Sequence, residues 1–140
     1  MSDSNTPVLA VNSLSKSFGN LEVLKNISLQ AKQGEVVSII GSSGSGKSTF
    51  LRCLNFLESP NKGEIRLNGE LLKTQLKKNG ELAPKDKIQL EKFRSHMGMV
   101  FQNFNLWSHM TALDNVMEAQ VQVLKRSKKE AHEKSCTLLE

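Results

Sequence analysis

The chain has 140 residues, of which 38% are hydrophobic and 24% charged, and its formal net charge is +5. These values allow one domain with a single core and exclude disordered and collagen-like classes. The positive charge permits attraction to nucleotides, nucleic acids or lipid headgroups without choosing among them. No apolar run approaches the roughly 20 residues of a membrane-spanning helix, and residues 1–7 are polar. The sequence therefore predicts a chain that stays in the cytoplasm.

The two cysteines, Cys53 and Cys136, are far apart and have no CxxC spacing. This spacing predicts neither a disulfide framework nor a zinc site, so both are interpreted as packing or incidental residues.

The first third of the chain has the pattern of strands. Residues 8–14 and 23–29 each alternate apolar and polar side chains, with the turn formers Gly19 and Asn20 between them, which predicts two paired strands. Residues 35–40 are a nearly continuous β-branched run that stops at Gly41. Such a run is typical of a strand covered on both faces, as in a parallel sheet.

Helical spacing follows that strand. Residues 46–56 predict a helix, residues 64–67 a short strand, and residues 85–95 a second helix. The lysine-rich segment 70–84 is weakly periodic and is expected to be an exposed excursion, whereas residues 97–101 fit a central strand. The buried stripe expected on the first helix consists of Phe50, Leu51, Leu54 and Leu57.

Two capping patterns predict two more helices. Thr111 with Asp114, and Ser127 with Glu130, match the S/T-x-x-E/D pattern of a helix start. The second of these helices has no predicted partner for its apolar face, and the chain reaches Glu140 without a C-cap signal, so truncation is expected. The predicted face of the first of these helices consists of Leu113, Val116, Met117, Val121 and Leu124. The predicted face of the second consists of Ala131, Ser135, Leu138 and Leu139.

The segment between the predicted strand and the first helix carries the strongest motif. Residues 41–48 read GSSGSGKS and match GxxxxGK[ST] in the required strand–loop–helix context. The three glycines are expected to adopt positive φ so that backbone N–H groups surround a phosphate. Lys47 would reach the β- and γ-phosphates, Ser48 would offer its hydroxyl to Mg²⁺, and Thr49 would donate to the α-phosphate side.

The alternative for this motif is a serine–glycine loop that only turns the chain. The pattern arises by chance in well under about 1% of chains of this length, so binding of a nucleotide with Mg²⁺ is the favoured interpretation, and the loop alone indicates only an NTPase. The candidate nucleotide-binding residues are Gly41, Ser42, Ser43, Gly44, Ser45, Gly46, Lys47, Ser48 and Thr49.

The flanking segments narrow the class. LSKSFG at 14–19, VLKNISL at 23–29 and GE at 34–35 resemble the opening of ABC-type ATPases. The resemblance implies an α/β fold with a P-loop NTPase core, an N-terminal antiparallel β part and the start of a helical subdomain. It also implies that Phe18 stacks on adenine; tyrosine is commoner there, and phenylalanine keeps the stacking face. Taken alone, an isolated phenylalanine near a strand end is more often a core residue.

MVFQ at 99–102 resembles the Q-loop of the same family. The resemblance implies that Gln102 contacts Mg²⁺ and the attacking water, because its amide has both an acceptor and donors. Without the phosphate loop upstream, an ordinary exposed loop glutamine would be favoured. Lys47 and Gln102 are therefore the candidate catalytic residues, and Ser48 and Gln102 the candidate metal ligands.

NFNLWSHMT at 103–111, KDK at 85–87 and VMEA at 116–119 resemble the ATPase subunits of polar amino acid importers, most closely the histidine and basic amino acid type. The resemblance implies two membrane permease subunits, a second ATP-binding subunit and, indirectly, a solute-binding protein as partners. It places the protein peripherally on the cytoplasmic face of the bacterial inner membrane, with no nucleic acid partner. His109 is then a surface loop residue.

The resemblance also divides the chain into parts of one incomplete domain. Residues 1–35 and 61–72 would form the antiparallel β part, 36–60 the P-loop and its helix, 97–110 a core strand and the Q-loop, and 111–140 the start of the helical subdomain. The family's LSGGQ signature, Walker B segment and switch histidine do not occur in the 140 residues. Hydrolysis by these residues alone is expected to be negligible.

Two other functions stay open at this point. A regulatory or nucleic-acid-handling P-loop module is supported only by the basic balance, and the basic cluster at 125–129 lacks the interleaved aromatics that stack bases. An ATP-binding fragment without turnover is the other.

Overall fold

The computed structural model describes residues 6–139, and the chain divides into two compact units between Gly98 and Met99. Within residues 6–139, none of the helices combines the length and apolarity that a bilayer crossing requires. The elements are β1 (Leu9–Phe18), β2 (Leu21–Ala31), α1 (Lys47–Leu54), β3 (Lys62–Leu67), β4 (Glu70–Leu71), β5 (Thr74–Leu76), β6 (Leu82–Pro84), α2 (Lys87–His96), α3 (Ala112–Gln122) and α4 (Lys128–Leu139).

The first unit is built on an antiparallel sheet in the order β2-β1-β3-β4. Leu9 on β1 pairs with Ala31 of β2 on one side and with Leu67 of β3 on the other. The predicted pair of strands is thus confirmed, and both strands are longer than predicted. Gly63 permits the close approach of β3 to β1, because a Cβ there would lie 2.6 Å from the Cα of Leu14.

Helix α1 covers this sheet with a short apolar face. Phe50, Cys53 and Leu54 are buried, and burial in this apolar setting raises the pKa of the Cys53 thiol to about 11. The predicted stripe was wrong in part: the helix ends at Leu54, and Leu51 and Leu57 are exposed. The core around α1 consists of Val11, Leu14, Leu24, Phe50, Cys53, Leu54, Phe56, Ile65, Leu67, Leu72 and Phe93.

The segment 70–84 was predicted to be an exposed excursion, and this was wrong in part: residues 75–80 are exposed, but the segment is ordered into strands. It contains β4 and the antiparallel hairpin β5–β6, and Leu72 and Ala83 are buried. The amide of Leu82 donates to the Pro60 carbonyl at 2.7 Å, which joins the hairpin to the segment after α1. The strands are too short to give a periodic pattern in the sequence, so long-range bonds of this kind decide the structure.

The two strands predicted at 35–40 and 97–101 are not formed. A segment becomes a strand only through ladder hydrogen bonds to a neighbour, and neither segment pairs with another anywhere in residues 6–139. Val36, Ile40 and Val100 are 90%, 93% and 97% exposed. The buried parallel strands expected from the composition are therefore absent from the described structure.

The second unit contains the two predicted helices. Thr111 and Asp114 form a reciprocal capping box at the start of α3, and the Ser127 hydroxyl accepts from the amide of Glu130 at the start of α4. The α4 face expected to lack a partner packs on α3: Ala131 and Ser135 are fully buried, and Gln120 donates to the Ser135 hydroxyl at 2.7 Å. Leu138 and Leu139 stay exposed.

Candidate phosphate-binding loop

The predicted phosphate loop leads directly into α1. The amide of Phe50 donates to the Gly46 carbonyl at 2.8 Å as the first helical hydrogen bond, and the amide of Ser45 donates to the Ser42 carbonyl at 3.3 Å within the loop. Backbone hydrogen bonds therefore define both the turn of the loop and the start of the helix, with no residues between them.

The glycines of the loop differ in backbone conformation. Gly44 and Gly46 have φ values of 79° and 92°, as predicted, and these values favour glycine. Gly41 was predicted to have positive φ, and this was wrong; a Cβ there would lie 2.7 Å from the Ser45 hydroxyl oxygen. At Gly46 a Cβ would lie 3.0 Å from Cγ1 of Val23 on β2, so close packing adds to the φ requirement.

The N-terminus of α1 lacks the side-chain cap that the other helices have. Asp86, Thr111 and Ser127 accept backbone N–H groups at the starts of α2, α3 and α4. Helix α1 starts on Gly46, with no side-chain cap and no acidic residue in its first turn. Its first N–H groups and the positive end of its dipole are therefore available to an anion.

Lys47 places a positive charge on this loop. Its Nζ lies 2.8 Å from the Gly41 carbonyl oxygen, 2.7 Å from that of Ser42 and 3.4 Å from the hydroxyl of Ser45. Ser48 is exposed. The loop thus combines a cation and uncapped amides, which suit a polyphosphate, with a hydroxyl oxygen, which suits its metal ion.

A cavity of about 250 Å³ lies beside the loop. Its lining is mainly apolar and includes Leu24, Ile27 and Leu29 of β2 together with Ile39 and Ile40. The loop side of the lining is Gly41, Ser45, Gly46 and Lys47, and Phe50 of α1 completes it.

Phe18 ends β1 and is not a core residue, because its side chain is 46% exposed. It pairs with Leu21 at the turn of the β1–β2 hairpin, and Val23 of the same hairpin borders Gly46. An exposed ring at this hairpin is compatible with a stacking role, which stays a prediction.

Gln102 belongs to the second unit, in an irregular segment where its side chain is exposed. His109 is also exposed, as expected of a surface loop histidine. The metal-sensing role of Gln102 stays a prediction from the resemblance.

A scan of family models matches the ABC transporter model over residues 24–138. The chain belongs to the ABC transporter family. It is 61% identical over 127 residues to the arginine/ornithine transport ATP-binding protein of Pseudomonas aeruginosa, covering 91% of this chain and 50% of that protein. It is 57% identical over 131 residues to the histidine/lysine/arginine/ornithine transport ATP-binding protein of Escherichia coli, covering 94% of this chain and 51% of that protein. The chain thus spans about half the length of these relatives.

Solved structures agree with this assignment and with the α/β cassette fold. A dimeric ATP-binding cassette in a post-hydrolysis state, bound to ADP and Pi, matches with a TM-score of 0.76 and 32% identity, covering 94% of this chain and 55% of that one. A dimeric bacterial ABC transporter cassette matches with a TM-score of 0.72 and 33% identity, covering 89% of this chain and 53% of that one.

A buried polar cluster near Phe18 was not predicted from the sequence of this ABC transporter family chain. Lys16 is 1% exposed, and its Nζ lies 2.8 Å from each of three oxygens: Oε1 of Glu58, Oε1 of Glu81 and the carbonyl of Ser59. The period-2 pattern of a strand could have indicated this burial, because Lys16 follows the buried Leu14 by two residues on β1 and so faces the same side of the sheet.

The charges in this cluster depend on one another. Burial alone would lower the pKa of Lys16, but hydrogen bonds and attraction from Glu58 and Glu81 outweigh it and raise that pKa above its ordinary 10.5. The bonds from Lys16 and Asn79 hold the pKa of Glu81 below its ordinary 4.5. Stability from Glu81 is therefore lost as pH falls through its depressed value, and stability from Lys16 is lost as pH rises through its raised value.

Glu81→Gln should lower the free energy of unfolding by about 1 kcal/mol near pH 7, because the Lys16 ammonium would then donate to a neutral amide oxygen instead of to a carboxylate. The difference from wild type should shrink as pH falls through the depressed pKa of Glu81, and again as pH rises through the raised pKa of Lys16. Urea midpoints across this pH range measure it.

Glu64→Gln is the matched control, because its partner Arg66 lies at 3.4 Å and both side chains are well exposed. Such a pair contributes little at any pH. A difference between wild type and Glu81→Gln that stays constant as the pH is lowered from neutral until Glu81 is protonated would contradict the assigned charges.

Proposed function

We propose that residues 41–49 bind the phosphates of ATP as its Mg²⁺ complex. The observation that carries the proposal is the uncapped start of α1 on Gly46 with the Lys47 ammonium held on the loop. Amides of the loop and first turn would hold the β-phosphate, Lys47 the β- and γ-phosphates, and Ser48 the metal ion. Thr49 would donate at the α-phosphate, and Phe18 would stack on the base.

We further propose that this binding energises uptake of a polar, basic amino acid such as histidine or arginine. The support is the family membership together with the names of relatives, which are transport ATP-binding proteins for arginine, ornithine, histidine and lysine. The partners would be two permease subunits, a second ATP-binding subunit and, indirectly, a solute-binding protein. The protein would then lie peripherally on the cytoplasmic face of the inner membrane.

The chemistry proposed is phosphoryl transfer from ATP to water, assisted by positioning and electrostatics rather than by a covalent intermediate. Mg²⁺, for which Ser48 and Gln102 are the proposed ligands, would supply neutralisation of the phosphate charge. Gln102 would orient the attacking water and contact the metal ion. Residues 1–140 contain no LSGGQ, Walker B or switch-histidine segment, so we expect this polypeptide by itself to bind ATP with negligible turnover.

Lys47→Ala should weaken binding of Mg-ATP to the 140-residue chain by roughly 10- to 100-fold, because a charge-assisted contact to phosphate is lost. Isothermal titration calorimetry with Mg-ATP measures it. Lys62→Ala removes an exposed lysine from β3 and is the matched control, with no change expected. Equal affinities for Lys47→Ala and wild type would contradict phosphate binding at this loop.

The transport part needs a cellular measurement with the same two substitutions, placed in the chromosomal gene. Lys47→Ala should abolish uptake of labelled arginine or histidine through this system, since nucleotide binding would no longer drive the permease, whereas Lys62→Ala should leave uptake unchanged. Undiminished uptake of both amino acids in the Lys47→Ala strain, in a background without other importers for them, would exclude the proposed substrates.

A further inference from the structure

The ammonium of Lys16 faces the ring of Phe18 with its hydrogen-bonding capacity fully used. Its Nζ lies 4.7 Å from the centroid of that ring, within the range of a cation–π interaction. A lysine ammonium has three N–H donors, and Glu58, Ser59 and Glu81 supply three acceptor oxygens at 2.8 Å. Lys16 therefore has no donor left for a phosphate, and its remaining interaction is with the aromatic ring.

The hairpin β5–β6 also holds the Lys16 ammonium in place, through the carboxylate of Glu81. Its Glu81 is oriented by Asn79, whose Nδ2 lies 2.8 Å from the second carboxylate oxygen. Asn61 bridges the two parts: its Nδ2 donates to the Gly80 carbonyl at 2.8 Å, and its Oδ1 accepts from the Ser17 amide at 2.7 Å. Ser17 lies between Lys16 and Phe18, so the backbone that carries the ring is held at both the main chain and the neighbouring side chain.

We propose that Lys16, held by Glu58 and Glu81, is a positioning residue that fixes the ring of Phe18 as a stacking platform for the base of the nucleotide. This inference rests on the proposed function. Phe18 is 46% exposed, and the Lys16 ammonium lies over one face of its ring, so the proposal assigns the opposite face to the purine. A cation on one face also draws electron density from the ring, which favours stacking of an electron-rich base on the other.

The test compares two probes that differ in the base: Mg-ATP, and the Mg²⁺ complex of inorganic tripolyphosphate. Lys16→Met keeps a long side chain and removes the charge. It should weaken binding of Mg-ATP by about 3- to 30-fold and leave binding of tripolyphosphate unchanged, because only the base uses the ring. Lys25→Met, at an exposed lysine of β2, is the matched control and should change neither affinity.

Two further variants separate positioning from folding. In a Phe18→Leu background, Lys16→Met should cause no additional loss of ATP affinity, since the ring through which Lys16 acts is gone. Glu81→Gln retains the size of the side chain and should give a smaller loss in the same direction. If Lys16→Met does not fold by circular dichroism, Glu81→Gln decides the question with the same two probes.

Each result decides between the proposals. Equal loss of both affinities in Lys16→Met would mean that the cluster supports the loop as a whole, and no loss of either would mean that the ring needs no support; both overturn the inference while the phosphate site stands. If wild type binds neither probe, the proposed function fails and the inference fails with it.

Discussion

The proposed site depends on one feature of the fold, which is that the first amides of α1 have no side-chain cap. Helix starts normally satisfy these donors with a side chain, as Asp86 and Thr111 do in this chain. A start on Gly46 leaves the amides to an external anion, and the positive φ of Gly46 together with crowding by Val23 of β2 disfavours a side chain there. The antiparallel sheet is the support on which this uncapped helix is placed.

The features that depend on neighbouring residues were predicted from the sequence. The structure has the glycine loop that leads into a helix, the Thr111 and Ser127 caps and the hairpin around Gly19, while nucleotide binding by the loop stays a prediction. Gly41 differs because its φ is not positive and a Cβ there would meet only the rotatable hydroxyl of Ser45, whereas Gly44 and Gly46 are restricted by φ.

The features that could not be predicted depend on residues far apart in the chain. The interaction between Lys16 and Glu81 spans 65 positions, and the hairpin that carries Glu81 is too short for a periodic signal. The apolar runs 35–40 and 97–101 have the composition of buried parallel strands, but such strands exist only when neighbours pair with them. No described residue pairs with either run, and the chain spans about half the length of its relatives.

The most direct test of phosphate binding at this loop is an amide NMR titration of the ¹⁵N-labelled chain with Mg-ATP. Phosphate oxygens at the start of α1 should give the largest chemical shift changes at residues 42–49, and Lys47→Ala should remove most of them. Shift changes confined to the basic cluster at 125–129, or none anywhere, would contradict the assignment of the loop as the nucleotide site.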